Sequence, residues 1–115
     1  MQAFELSEVA RQRQAAGRSY LEFLRVPALS LGLYVLPAGA VDPQAPHSED
    51  EVYYVTAGRA SVTVGEQEQA VGPGSIIYVP ATVPHRFHSI TEDLSLLVFF
   101  APAEYSQASG QGAQV

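Results

Sequence analysis

Residues 47–58, with the sequence HSEDEVYYVTAG, and residues 74–85, with the sequence GSIIYVPATVPH, decide the fold of this chain. Side chains on a β-strand alternate between its two faces, so His47 and Glu51 point the same way in an extended chain. A turn can then bring His85 against them. Two imidazoles and one carboxylate form a facial ligand set that leaves open positions on a divalent metal ion. The two stretches therefore predict a metal site built from strands.

Composition excludes several kinds of chemistry. The chain has 115 residues, enough for one domain, and a net charge of −6, which argues against nucleic acid as a partner. It has no Cys, and all six of its basic residues are Arg. Thiol chemistry, iron–sulfur clusters and Schiff-base lysines are therefore excluded. With neither a secretory signal pattern nor an apolar run near about 18 residues, we expect a cytoplasmic protein that does not enter a membrane.

The remaining patterns predict one short helix followed by strands. Residues 7–16 have helical spacing, with Ser7 as a candidate N-cap and Gly17 as the stop. After them, short runs rich in β-branched and aromatic residues alternate with turn signals, which is typical of an all-β barrel or sandwich. The expected strands are residues 19–26, 28–36, 52–56, 59–64, 67–71, 75–79, 85–90 and 94–100.

The first stretch carries most of a family motif. The chain resembles the cupin superfamily, whose first motif contains a glycine, two histidines one residue apart, a glutamate and a second glycine. Gly39, His47, Glu51 and Gly58 match this motif. Ala45 occupies the position of the first histidine and cannot bind a metal.

The second stretch resembles the second cupin motif, in which glycine, proline, glycine, histidine and asparagine follow at fixed spacings. Gly74, Pro80 and His85 match. Thr82 stands for the second glycine and Ser89 for the asparagine. Because both motifs occur in order and correctly spaced, the resemblance is specific for the fold.

The resemblance covers about residues 28–102 and implies an all-β fold, namely a cupin-type jelly-roll β-barrel with a short N-terminal helix. Residues 1–27, with the helix and first strand, are expected to pack on this barrel or on a dimer partner. Residues 103–115 offer little to bury and are expected to form a disordered tail.

The missing histidine leaves the fourth ligand position open. Glu49 has the same strand parity as His47 and Glu51 and could supply an oxygen. Gln44 could do so through its amide. With neither, the ion keeps His47, Glu51 and His85 and has up to about three open positions for substrate or O₂.

Strand parity also selects candidates for the walls of a pocket. Tyr53 lies two residues from Glu51, on the inward face, and its hydroxyl makes it a candidate catalytic residue together with Glu51. His88 lies on the face opposite His85, so we expect it to point outward. Phe87 lies two residues from His85 and is placed on the inward face in the same way. Further wall candidates, which depend on strand register, are Tyr34, Leu36, Tyr78 and Phe99.

These features predict a metal-binding cupin that acts on a small molecule, as an enzyme of dioxygenase type. The cofactor would be one divalent ion, with Fe(II) or Mn(II) favoured and Zn(II) or Ni(II) as alternatives. A non-redox isomerase or lyase, and a non-catalytic binding barrel, are the alternative functions. Long apolar strands such as residues 94–100 and an apolar N-terminal segment predict a homodimer.

Overall fold

The chain folds into one helix and six strands, in a computed structural model that describes residues 1–43 and 45–106. The helix, α1, spans Leu6–Ala16. The strands are β1 (Tyr20–Val26), β2 (Leu29–Leu36), β3 (Asp50–Val64), β4 (Gln67–Val71), β5 (Ile76–Val79) and β6 (His85–Ala101). The predicted all-β fold with a short N-terminal helix is confirmed.

Helix α1 packs on β1 and β2 and buries Val9. Glu5 is its N-cap residue and makes no side-chain capping bond, so the prediction of Ser7 as N-cap was wrong. Gly17 ends the helix as predicted, with a left-handed φ of 67°. Within the described residues, no helix has the length and apolar character needed to cross a bilayer.

The strands are antiparallel and follow the order β1-β2-β6-β3-β4, with β5 pairing β3 on the side away from β6. Strands β3 and β6 have 15 and 17 residues and pair along most of their lengths. Each was predicted as two shorter strands, residues 52–56 and 59–64 in one and residues 85–90 and 94–100 in the other. Their pairing instead continues through register shifts between Val55 and Ser61, which bend both strands.

Gly58 shows why the expected turn at this point is a bend inside β3. Its φ is 92°, and a Cβ atom at this position would lie 2.2 Å from the carbonyl oxygen of Asp93 and 2.7 Å from the Cα atom of Leu94. The two long strands approach so closely here that only glycine fits. Gly58, which in the sequence predicts a turn, thus allows β3 and β6 to stay paired.

The core is formed by the inward faces of the long strands. Tyr53 and Phe87 are fully buried and their rings meet edge to face, with centroids 4.9 Å apart. Tyr78 and Phe99, which were candidates for the inner wall, are 58% and 37% exposed. That expectation was wrong because both pair with Val52, on the outer face of β3. Tyr34 and Leu36 lie in the core.

The chain stays ordered beyond β6. Residues 103–106 form a turn, and both Ala103 and Glu104 are 2% exposed, so the expectation of disorder from residue 103 was wrong for this part. Polar partners hold the turn: the backbone N–H of Glu104 donates to Oγ of Ser30 at 2.8 Å, and Arg25 donates to its carbonyl at 2.7 Å. Residues 107–115, where the rest of the predicted tail falls, lie outside the described residues.

Candidate metal site

Three buried side chains meet near one end of the core. His47, Glu51 and His85 are 2%, 1% and 6% exposed, and one ligand atom of each lies within 4.8 Å of the others. Oε1 of Glu51 lies 3.0 Å from Nε2 of His85 and 3.6 Å from Nδ1 of His47. The structure thus brings together the three side chains that the sequence predicts as ligands.

Two loops and one strand hold these side chains in place. Glu51 lies on the inward face of β3 and pairs with Val79, the last residue of β5. Residues 80–84 lead from there to His85, the first residue of β6. Within this loop, the backbone N–H of Thr82 donates to the carbonyl of His47 at 2.7 Å, which ties the two histidine-bearing segments together.

The backbone orients the ring of His85. Its Nδ1 lies 2.9 Å from the carbonyl oxygen of Val83, which can only accept, so Nδ1 carries the proton and donates. Nε2 then faces Glu51 and the hydroxyl of Tyr53, which is 3.2 Å away. Burial acts to lower the pKa of His85, but the carboxylate of Glu51 and the carbonyl of Val83 raise it above its ordinary value. The site therefore favours a positive charge at Nε2.

The surroundings of the Glu51 carboxylate show whether the site fits a metal ion. Both of its oxygens are buried, and its Oε1 lies between two imidazole nitrogens, Nε2 of His85 at 3.0 Å and Nδ1 of His47 at 3.6 Å. Burying an ionised carboxylate costs several kcal/mol, which is why buried carboxylates usually pair with a cation. Two imidazole nitrogens and one carboxylate are also the donor set of open divalent metal sites. The residues present fit such an ion.

Of the two candidates for a fourth ligand, Glu49 does not join this cluster. Glu49 is buried, but its Oε1 accepts the backbone N–H of Tyr105 at 2.7 Å and its other oxygen accepts the hydroxyl of Ser48. Gln44 lies outside the described residues.

The third histidine of the chain points away from the cluster, as predicted. Nε2 of His88 lies 2.8 Å from Oγ1 of Thr63 and 3.2 Å from Oε1 of Glu68.

A family profile described as "Cupin domain" matches residues 32–100 of the chain. The chain belongs to the cupin family. Solved relatives with a double-stranded β-helix share its fold, so the predicted cupin-type barrel is confirmed.

One sequence relative and one solved structure match nearly the whole chain. An uncharacterized protein of Streptomyces coelicolor, SCO3923, is 52% identical over 104 residues, which cover 90% of this chain and 99% of that protein. The structure of TT1209 from Thermus thermophilus is 27% identical, covers 90% of this cupin and 99% of that chain, and has a TM-score of 0.71.

An enzyme of known activity also shares the fold. Salicylate 1,2-dioxygenase from Pseudoaminobacter salicylatoxidans has a TM-score of 0.73 at 16% identity, and the match covers 85% of this cupin and 32% of that chain. At this identity the likeness concerns the fold alone.

Two residues beside the cupin site were missed by sequence reasoning. Oε2 of Glu104 lies 3.1 Å from Nε2 of His47, and the ring of Tyr105 stacks on the imidazole with centroids 5.2 Å apart. Burial raises the pKa of Glu104, while His47 opposes that rise. Tyr105 could have been found, because it is the last aromatic residue before the polar tail and aromatic rings tend to be buried. No sequence signal pointed to Glu104.

His85 also lines a surface pocket of about 330 Å³, together with Pro84, Pro46, Thr63 and Arg86. Pockets of this volume suit small molecules.

Proposed function

We propose that this cupin binds one divalent metal ion through His47, Glu51 and His85 and acts as a small-molecule enzyme of dioxygenase type. The convergence of three buried ligand atoms carries the proposal: Oε1 of Glu51 lies 3.0 Å from Nε2 of His85 and 3.6 Å from Nδ1 of His47. Fe(II) or Mn(II) is favoured over Zn(II) or Ni(II) for catalysis, because two nitrogens and one oxygen leave adjacent positions open.

Each residue of the site has a part in the proposed chemistry. A bound ion supplies Lewis acidity and, as Fe(II), reactivity towards O₂. Glu51 offsets part of the positive charge, and Val83 holds the proton of His85 on Nδ1 so that Nε2 faces the site. Phe100 packs on His47, with ring centroids 4.7 Å apart, and excludes water on that side. The substrate would enter through the pocket beside His85.

The position of Tyr53 favours a second function. Its hydroxyl is fully buried and lies 3.2 Å from Nε2 of His85, within reach of any group bound there. A hydroxyl at this distance can give a proton to a substrate oxygen or take one from it. A non-redox isomerase or lyase would use Tyr53 in this way, without O₂.

Metal content tests the site itself. Wild-type protein purified without added metal is expected to contain about one divalent ion per chain. His85→Ala should weaken metal binding at least about 100-fold, because even changes outside the ligand set cost 10- to 100-fold. His88→Ala is the matched control and should bind metal as the wild type does, since His88 contacts Thr63 and Glu68 instead. Full retention of metal by His85→Ala would contradict the proposed site.

Oxygen consumption separates the candidate functions. The Fe(II)-loaded protein would be screened against catechol-like, enediol and β-diketone compounds with an oxygen electrode. O₂ uptake that needs both the substrate and His47 supports a dioxygenase. Turnover at an undiminished rate without O₂ would instead support the isomerase or lyase, and saturable binding without turnover would support a binding barrel.

A further inference from the structure

The carboxylate of Glu104 contacts His47 at the ring nitrogen that is not the one facing Glu51. Its Oε2 lies 3.1 Å from Nε2 of His47, and the two side chains are 2% and 1% exposed. The approach comes from the far side of the imidazole, since Nδ1 is the nitrogen nearer to Glu51, at 3.6 Å from Oε1. Glu104 is not part of the three-residue cluster.

The turn that carries Glu104 is fixed by several other segments. Its N–H donates to Ser30 on β2 and its carbonyl accepts from Arg25 on β1. The next residue, Tyr105, donates its N–H to Glu49 and stacks its ring on His47. With its backbone held on both sides, Glu104 presents its carboxylate in one place.

This placement bears on which nitrogen of His47 can bind a metal. A neutral imidazole has one N–H group and one nitrogen with a free lone pair, and only the latter coordinates. A carboxylate against Nε2 accepts its N–H, so the lone pair stays on Nδ1, towards Glu51. His85 has the reverse arrangement, because Val83 accepts from its Nδ1 and Nε2 faces Glu51.

We propose that Glu104 is a positioning residue for the metal site: it holds the proton of His47 on Nε2 and leaves Nδ1 to bind the ion. The inference rests on the proposed metal site, and it assigns a role to a turn outside the matched cupin segment, residues 32–100. Metal-bound histidines generally donate their other N–H to an acceptor of this kind.

Zinc affinity gives the first test, with Zn(II) as a diamagnetic probe. Glu104→Ala should weaken Zn(II) binding about 10- to 100-fold, and Glu104→Gln should weaken it less, because its amide oxygen can still accept from Nε2. Glu22→Gln is the matched control. Glu22 pairs with Arg25 near the same turn but does not belong to the cluster. The Zn(II) affinity of this variant should therefore equal that of the wild type.

The histidine tautomers give a measurement that would not change if Glu104 had only a structural role. Long-range ¹H–¹⁵N spectra of the zinc-loaded wild type should show His47 protonated on Nε2 and His85 protonated on Nδ1. In the metal-free Glu104→Gln variant the Nε2 proton should persist, whereas in the metal-free Glu104→Ala variant His47 should lose this fixed tautomer. His85 is the internal control and should stay unchanged in both variants.

The outcomes separate this inference from the metal site on which it rests. Unchanged zinc affinity and an unchanged His47 tautomer in Glu104→Ala would overturn the role of Glu104 and leave the metal site standing. Protonation of His47 on Nδ1 in the loaded wild type would also overturn it, because Nε2 would then be the ligand atom. A wild-type chain that binds no Zn(II) would overturn both. Should Glu104→Ala fail to fold, the spectrum of the zinc-loaded wild type still decides, since protonation of His47 on Nδ1 there would overturn the proposal.

Discussion

Two departures from the cupin motifs keep the backbone conformation that the motif residues favour. Thr82 and Ser89, which stand where the motif has glycine and asparagine, have φ values of 68° and 52°. Glycine and asparagine are the residues that adopt this left-handed conformation most readily, whereas a β-branched residue such as threonine is strained there. Thr82 also donates its N–H to the carbonyl of His47, so the strained loop helps to position a candidate ligand.

Replacing Thr82 with glycine should therefore stabilise the protein. Relief of the left-handed conformation contributes about 1–2 kcal/mol, and the added freedom of glycine in the unfolded chain removes about 0.5–1 kcal/mol. We expect a net gain of about 0.5–1 kcal/mol in the free energy of unfolding, measured by urea denaturation. Thr82→Ala is the control: it also loses the hydroxyl but keeps a Cβ atom, so it should show no such gain. If Thr82→Gly were less stable than Thr82→Ala, the backbone at residue 82 would not be strained.

Strand parity and motif spacing were enough to predict which side chains meet at the site. His47, Glu51 and His85 come together because parity orients Glu51 on β3 and the short loop after β5 sets the position of His85. Parity failed for Glu49, which turns to a backbone N–H of the final turn. Glu104 could not be predicted, because it meets His47 from 57 residues away through a turn without periodic pattern.

Most strands could be predicted from the sequence, but their continuity could not. Strand β4 has the predicted bounds, residues 67–71, and β1, β2 and β5 differ from prediction by one residue at an end. In β3 and β6, by contrast, turn-forming residues lie inside a strand. Local propensity marks Gly58 as a turn, whereas pairing with β6 over most of the strand length holds it in a bend. Such long-range pairing leaves no local pattern in the sequence.

Two glycines with the same φ allow the energetic effect of the close contact between β3 and β6 to be measured. Gly58 and Gly74 both have a φ of 92°, but only at Gly58 would a Cβ atom meet backbone, whereas at Gly74 nothing lies within 4 Å. Gly74→Ala should lose about 1–2 kcal/mol of unfolding free energy from backbone strain alone. Gly58→Ala should lose about 2–5 kcal/mol, since a clash with β6 adds to the strain. Equal losses in urea denaturation would mean that the strands can separate there without cost.

The outer face of the sheet carries an apolar surface that the fold leaves exposed. Tyr54, Ile76, Tyr78 and Phe99 are between 37% and 70% exposed. They are neighbours: Tyr54 pairs with Ile76, and Val52 pairs with both Tyr78 and Phe99. Residues opposite each other on antiparallel strands share a face, so these side chains form one patch across β5, β3 and β6. Contiguous apolar patches of this kind usually mark an interface.

A second copy of the chain is the expected occupant of this patch, because a self-complementary face closes into a two-fold dimer and leaves no apolar surface behind. Light scattering of the wild type should therefore give twice the chain mass of 12.3 kDa. Ile76→Glu should give the mass of a single chain, since two-fold symmetry would bury two new carboxylates without partners. Val41→Glu is the control. Val41 is 81% exposed in the loop before β3 and does not belong to the strands that form the patch, so its variant should remain dimeric. A wild type that stays monomeric at all concentrations would contradict the dimer, and loss of the dimer in both variants would place the interface elsewhere.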